Sequence, residues 1–166
     1  MQPVRARKHP LFPVLPALLL ALCLLLSGCG AKDAPSGKKA GTAADIYAAM
    51  AAKGVLPAML PLEGEELFDL VGLDPADCAE ITYMIAENGL AADEIALLTA
   101  VDSAAADRCE AVLRSRVEAR SAEFEGYLPE QYAVMKNAVL LRDGLRLALI
   151  VSPEAQALKA VYGEYR

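Results

Sequence analysis

The residue with the best-defined chemistry in this sequence is Cys29, which ends the tetrapeptide Leu26-Ser27-Gly28-Cys29. The small residues at 27 and 28 let an extended backbone enter a peptidase site, and the thiol at 29 is the nucleophile that takes up a diacylglyceryl group. An apolar run over 17–26 and a basic segment before it complete the three-part pattern of an export signal. The sequence therefore predicts lipidation of Cys29 and signal cleavage between Gly28 and Cys29.

A transmembrane anchor is the alternative interpretation of this N-terminal segment. A helix that spans a bilayer needs about 20 consecutive apolar residues, and Pro13 and Pro16 interrupt the upstream half of the run. We therefore favour a lipoprotein signal peptide over 1–28, with diacylglyceryl-Cys29 holding the exported protein on the outer face of the cytoplasmic membrane. The lipid bilayer is then the first predicted partner.

The charge and residue types of the predicted mature chain exclude several classes of function. The precursor has a net charge of −6, and loss of three basic side chains with the signal leaves about −9, which repels nucleic acid. The only histidine, His9, lies in the predicted signal, so no imidazole remains for a nucleophile pair or a zinc site. There is also no glycine-rich phosphate loop and no calcium-loop pattern. The sequence predicts no nucleic-acid partner, metal, cofactor or catalytic residue, and favours a protein that is not an enzyme.

Two cysteines remain after the predicted cleavage, Cys78 and Cys109. In an exported protein they are a candidate disulfide, which typically contributes about 2–4 kcal/mol. The alternative is a pair of buried free thiols that pack as small hydrophobic groups. We expect the free thiols, because many Gram-positive exported proteins have no disulfides.

Two arginines on a long predicted helix are the candidate contacts for an anion or a partner. Arg116 and Arg120 lie one turn apart and fall within the apolar stripe of the helix. One interpretation, which we expect, is that their stems cover the edge of the core while the guanidinium groups reach water. The other is a pair of donors aimed at an anion or at a partner carboxylate.

Hydrophobic periodicity and turn residues predict the elements that position these groups. Thr42, followed by Asp45, is typical of a helix N-terminus, and the polar stretch before it is typical of a flexible tether. The helices are predicted to begin at 42, 65, 103, 129 and 153, and the strands to cover 81–87, 95–101, 139–142 and 145–151. The last helix is expected to face the core with Ala157, Leu158, Val161 and Tyr165.

The second predicted hairpin gives the sheet two apolar faces. A two-residue turn at Asp143-Gly144 pairs Leu140 with Leu147. Alternate residues then point to the opposite face, which is also apolar. An antiparallel sheet needs only one packed face, so the cover for the second face is either the helix over 42–53 or a partner.

Together these patterns predict an α+β fold. It has a small antiparallel four-stranded sheet made of two hairpins, packed with about four to five helices behind the signal peptide. The order strand, strand, helix occurs twice, which leaves a ββα duplication open. The predicted organisation is a signal peptide over 1–28, a flexible tether over 29–41 and a single domain over 42–166.

Several short motifs are spread over the predicted domain. They are Gly72-Leu73-Asp74-Pro75, Ala92-Asp93-Glu94-Ile95-Ala96, the stretch 113–120 leading through Phe124 and Tyr127 to Pro129-Glu130, and Asn137-Ala138-Val139. They follow the lipobox, which is the tetrapeptide Leu26-Ser27-Gly28-Cys29. In this arrangement they resemble a family of clostridial lipoproteins catalogued as domain of unknown function 4358 (DUF4358). The resemblance covers nearly all of 42–166, although Val71 stands where members generally have a tyrosine. It implies the limits and location of the domain, and no site residue or activity.

Three classes of function follow from these observations. The leading hypothesis is a membrane-anchored accessory or protein-interaction module, because the lipobox, the small acidic domain and the second apolar face agree with it. The alternative is a lipoprotein that binds a small molecule or a cell-envelope ligand, for which Arg116 and Arg120 are the candidate groups. The third is a hydrolase that uses carboxylates alone, although such enzymes usually have aromatic sugar platforms and this chain has no tryptophan.

Overall fold

The computed structural model describes residues 38–165 of the chain. The predicted signal peptide over 1–28, the cleavage pair Gly28 and Cys29, and most of the predicted tether lie outside these residues. Within 38–165, no helix combines the length and the apolar character that a bilayer span requires.

An antiparallel sheet of five strands lies at the centre of the structure. The strands are β1 (Met59–Pro61), β2 (Cys78–Ala86), β3 (Glu94–Ala100), β4 (Val139–Asp143) and β5 (Arg146–Val151). The helices are α1 (Ala43–Ala51), α2 (Glu65–Val71), α3 (Ser103–Phe124), α4 (Pro129–Lys136) and α5 (Ala155–Gly163), and a 3-10 turn covers Pro75–Asp77. The strand order is β1-β2-β3-β5-β4, and the predicted α+β class is confirmed.

Strand β1 is the strand that the sequence prediction lacks. It has three residues, too few for an alternating pattern to be recognised. Pro57 and Pro61 are more typical of an extended connecting segment than of a strand. Proline has no N–H to donate within a sheet, so it is confined mainly to edges. Because β1 lies at the edge and pairs only with β2, Pro61 is tolerated there.

Helices cover both faces of the sheet, which gives the domain three layers. On one face α3 and α4 pack against residues that include Leu98 and Leu149. On the other face α1 and α5 cover residues that include Leu97 and Ile150. The second apolar face, for which the 42–53 helix or a partner was expected, is therefore covered within the domain by α1 together with α5.

The order strand, strand, helix does occur twice, as β2-β3-α3 and as β4-β5-α5. Strands β3 and β5 are antiparallel neighbours, and a two-fold axis that relates such neighbours stands perpendicular to the sheet. That axis would place α3 and α5 on the same face, whereas they pack on opposite faces. The repeat is one of element order and not of three-dimensional arrangement.

The β4–β5 hairpin differs from the predicted register. Leu140 pairs with Leu149 rather than with Leu147, so that Gly144 and Leu145 form the turn in place of the predicted Asp-Gly pair. Gly144 has a φ of 63°, and glycine at the first turn position is what a type II′ turn requires. Because the pairing moves by an even number of residues, each side chain keeps its predicted face.

Capping side chains fix where the helices begin. The Thr42 hydroxyl accepts a hydrogen bond from the Asp45 N–H, and the Asp45 carboxylate accepts one from the Thr42 N–H, so the predicted capping box is present. Helix α3 begins at Ser103, and Asp102 caps it by accepting from the Ala105 N–H at 2.7 Å. A carboxylate at this position also interacts favourably with the helix dipole.

Helix α5 faces the second core with an edge that differs from the prediction. Leu158 and Val161 are buried as predicted, and Tyr162 is buried with them. Ala157 is exposed and Tyr165 is half-buried. Tyr165 lies beyond the last residue of α5, so it does not continue the helical period on which the prediction relied.

The first described residues contact the end of α5. The Lys39 N–H donates to the Glu164 carbonyl at 2.7 Å, and the two side chains form an ion pair. A Cβ atom on Gly41 would lie 2.7 Å from the ring of Tyr165, so a larger residue at this position would displace that ring. The C-terminal end of the predicted tether is therefore bonded to the domain.

Candidate functional site

A buried carboxylate, Glu94, lies at the start of β3 with only 2% of the residue exposed. The Tyr83 hydroxyl donates a hydrogen bond to Glu94 Oε1. Arg116 Nε donates to Oε1 at 3.0 Å and to Oε2 at 3.3 Å. Tyr83, Glu94 and Arg116 are called the charge cluster below.

Several elements bring the charge cluster together. Tyr83 lies opposite Ala96 in the β2–β3 register, and Glu94 shares the face of Ala96 because alternate residues of a strand point the same way. Helix α3 packs on this face and supplies Arg116. Arg116 Nη1 also donates to the Leu70 carbonyl at 3.1 Å, one of the last carbonyls of α2, which have no partner in their own helix.

Burial and the contact with Glu94 together set the protonation states of Tyr83 and Arg116. Burial raises the pKa of Tyr83 well above its ordinary value, and the Glu94 carboxylate raises it further. Burial by itself lowers the pKa of Arg116, but the attraction and the hydrogen bond to Glu94 more than offset this and raise it. At neutral pH the phenol is therefore neutral and the guanidinium is charged, so both are donors to Glu94.

The charge cluster links four elements of the fold, which are β2, β3, α3 and the end of α2. Both Glu94 oxygens accept hydrogen bonds from inside the domain, and Arg116 joins β3 to the end of α2. The Arg116 side chain is 17% exposed, so the expected geometry, with the guanidinium in water, is not the one that the structure has. The carboxylate that Arg116 contacts belongs to its own chain.

Arg120, the second candidate contact for an anion or a partner, has a different environment. Its Nη1 lies 2.5 Å from Glu123 Oε2, and its guanidinium lies 4.6 Å from the centre of the Phe124 ring. Its Nε is buried, with no hydrogen-bond partner among residues 38–165. Arg116 and Arg120 thus contact different carboxylates, and the structure does not join them in one site.

The two cysteines of the candidate disulfide are free thiols whose side chains interact with each other. Cys78 begins β2 and Cys109 lies in α3. The residues directly before them, Asp77 and Arg108, form an ion pair. Arg108 Nε donates to Asp77 Oδ2 at 2.9 Å, and Arg108 Nη2 donates to Asp77 Oδ1. Burial, together with the neighbouring Cys109, raises the pKa of Cys78 to about 12. Burial also raises the pKa of Cys109, so both thiols are protonated and weakly nucleophilic at neutral pH.

A surface groove follows the outer edge of β2 and continues along α2, and it is called the edge groove below. Its first part, of about 440 Å³, is lined by Leu62, Leu67 and residues 81–84. Its second part, of about 480 Å³, is lined by Glu65, Phe68, Asp69 and Asp74. Gly64 and Pro75 line both parts, so the two adjoin each other. Phe68 is 60% exposed although it is large and apolar.

Sequence reasoning missed Tyr83 and Glu94 as members of a site. Two features of the sequence could have identified this pair. Glu94 occupies a position of a strongly apolar strand from which the side chain points into the core, and Arg116 falls in the apolar stripe of a helix. Two opposite charges that each occupy a core-facing position are a candidate buried pair. Within 38–165, no group of three or more histidine, cysteine or acidic residues is arranged to hold a metal ion.

A known protein family matches the central part of the domain. The sequence pattern of the family described as Domain of unknown function (DUF4358) matches residues 52–152, and the chain belongs to this family. The match begins just after α1, includes all five strands and ends before α5. No curated protein and no solved structure matches the chain.

Replacing Arg116 by methionine should destabilise the domain by about 3–5 kcal/mol, because Glu94 would remain buried without its cation. The double variant Arg116→Met/Glu94→Gln should recover a large part of this loss. Arg116→Lys should cost more than the control Arg120→Lys, because lysine lacks the planar fork that contacts Glu94 and Leu70 together. Urea unfolding measures these differences, and equal losses for Arg116→Met and the double variant would contradict the buried ion pair.

The Cys78 thiol should make stability fall as the pH rises. In the unfolded chain this thiol loses its proton near pH ~8.5, and in the folded chain only near 12. Between these values the unfolded state binds fewer protons, so the free energy of unfolding decreases with increasing pH. Urea unfolding of wild type and Cys78→Ala from pH 8 to 10 should give a shallower slope for the variant. Identical slopes would refute the raised pKa.

Proposed function

We propose that this protein is a membrane-anchored extracytoplasmic lipoprotein whose α+β domain is a protein-interaction module. The anchoring part of the proposal rests on the sequence around Cys29, and the interaction part rests on the edge groove. The observation that carries the interaction part is the exposed Phe68 on a concave surface with acidic side chains around it.

The N-terminal sequence supports lipid anchoring. It has a basic start, a short apolar run and small residues before a cysteine, in the order that lipoprotein processing requires. An acyl anchor places the domain next to the membrane without a protein span. A protein held in this way meets other membrane proteins in two dimensions, which raises the effective concentration of a weakly binding partner.

The surface of the domain supports a protein partner. Large aromatic side chains that stay exposed in a concave site are typical anchors of protein interfaces, and Phe68 is such a side chain. The apolar sheet face that first suggested a partner is covered by α1 and α5. The interaction surface therefore belongs at the sheet edge and on α2 rather than on the sheet face.

The small-ligand alternative has less support. It relied on Arg116 and Arg120 as convergent donors, and both contact carboxylates of their own chain. A ligand site needs polar groups that remain available to the ligand.

The Cys29→Ala precursor should neither incorporate lipid nor be cleaved before residue 29, because both reactions require the thiol. In cells fed an alkyne fatty acid, the wild-type protein should carry the label and sediment with membranes, whereas Cys29→Ala should remain unlabelled. The matched control is Cys23→Ala, which removes a thiol from the same segment and should behave as wild type. A labelled, correctly cleaved Cys29→Ala protein would contradict the anchoring proposal.

A photoreactive amino acid at position 68 of the lipidated protein should cross-link to one protein of defined mass in cells. The control position is Leu145, which is 39% exposed on the hairpin between β4 and β5. We expect the position-68 adduct to weaken when a cleavable signal peptide without a lipidation site replaces residues 1–29 and releases the domain from the membrane, because the effective concentration of the partner falls. Adducts only with lipid, or the same adducts from positions 68 and 145, would contradict an interaction module that uses the edge groove.

A further inference from the structure

The charged side chains that line the edge groove are all acidic. From Gly54 to Asp107 the sequence contains 12 acidic residues and no lysine, arginine or histidine. The acidic members on the groove, Glu63, Glu65, Asp69 and Asp74, are all exposed. A concave surface with charges of one sign attracts a partner segment of the opposite sign.

The same groove contains an open sheet edge. Strand β1 pairs only with residues 84–86 of β2, and the Leu62 N–H extends this contact to the Tyr83 carbonyl at 2.9 Å. Beyond that point, no strand formed by residues 38–165 lies outside β2. Since the Tyr83 carbonyl faces the outer side, the N–H and C=O of Ile81 point to that side as well. An extended peptide can pair with such groups and add a strand to the sheet.

Apolar side chains lie beneath this edge. Leu62 and Leu67 are buried in the domain core and also line the groove. Ile81 is half-buried and lines the same part of the groove. Phe68 lines the second part of the groove. An extended peptide has alternating side chains, so one set can pack on these apolar residues while the other set lies near the acidic rim.

We propose that the edge groove binds an extended, cationic segment of a partner protein, in which lysine or arginine alternates with apolar residues. The segment pairs with the free part of β2, packs an apolar side chain against Phe68 and places its cations beside Glu65 and Asp69. This inference rests on the proposed function, since it names the partner chemistry of the same interaction surface.

The acidic rim also decides between this occupant and two others. A second copy of the chain would bring two acidic edges together, and like charges in contact oppose such pairing. An anionic membrane surface would be repelled in the same way. A cationic extended segment complements the acidic side chains of the groove and can pair with the outward N–H and C=O of Ile81.

The test uses the mature lipoprotein in nanodiscs of zwitterionic lipid, with fluorescence anisotropy as the readout. The probe is a labelled, end-blocked peptide of eight residues that alternates lysine and valine, and empty nanodiscs give the background. We expect binding that weakens as salt is added. A peptide with glutamate in place of lysine should not bind. A lysine–valine peptide that is N-methylated at every residue should bind at least about tenfold more weakly, because it keeps its charge but has no backbone N–H on either edge to pair with a strand.

Variants of the protein locate the binding. Phe68→Ala should weaken binding by about fivefold or more, and the double variant Glu65→Gln/Asp69→Asn should weaken it by about three- to tenfold at low salt. The matched control Glu118→Gln/Glu130→Gln removes the same charge from exposed positions outside the groove and should leave binding unchanged. All of these positions are exposed, so the variants should keep the wild-type melting curve.

Three results would overturn the inference. They are equal binding of the N-methylated and unmodified peptides, equal losses in the two double variants, or a dimer of the chain that holds the edge in place of the peptide. If the peptide fails to bind while position 68 still cross-links to one protein in cells, only the partner chemistry is wrong and the interaction module stands. If both experiments fail, the proposed function fails as well.

Discussion

Strand β3 has an apolar side chain at almost every position, and both of its faces must be kept from water. Ile95 and Leu97 point to one side and Ala96 and Leu98 to the other, and all are almost completely buried. A strand of this kind needs a helical layer on each face and a neighbouring strand on each edge. The sandwich of α1 and α5, sheet, and α3 and α4 meets these needs, with β2 and β5 as the neighbours.

The one charged residue of β3 shows how a core tolerates polarity. Glu94 stands at the first position of the strand, where a residue can be buried and still be reached by a side chain from α3. The net gain from a buried ion pair is often small, because desolvation offsets the attraction between the charges. The loss of one partner is large by comparison. The pair therefore favours one relative position of β3 and α3, because any other position leaves a charge without its partner.

Local patterns were sufficient for much of the fold. The capping box at Thr42 and the glycine that ends α2, Gly72 with a φ of 83°, are signals contained within a few residues. The faces of β4 and β5 also followed from alternation. The register of this hairpin did not, because glycine fits more than one position of a short turn and the choice depends on pairing with the rest of the sheet.

The features that the sequence did not predict depend on contacts between residues that are distant in sequence. Strand β1 is recognisable only beside β2, which starts 17 residues after β1 ends. Arg116 and Glu94 are 22 residues apart, and their contact exists only because α3 packs back over β3. The edge groove arises because β1 is shorter than β2, a relation between two strands that no single segment contains. These features therefore appear only when the tertiary structure is known.

The second helical layer is built from the two ends of the domain. As the chain elongates, α1 is made before the sheet and α5 after it, and the two lie together over β3 and β5. The apolar residues Ile95, Leu97 and Ile150 consequently have only part of their cover until α5 has left the ribosome. Any premature stop before α5 releases a chain with an uncovered sheet face, which is a target for proteases and for aggregation. Synthesis through α5 is thus a condition for a stable product.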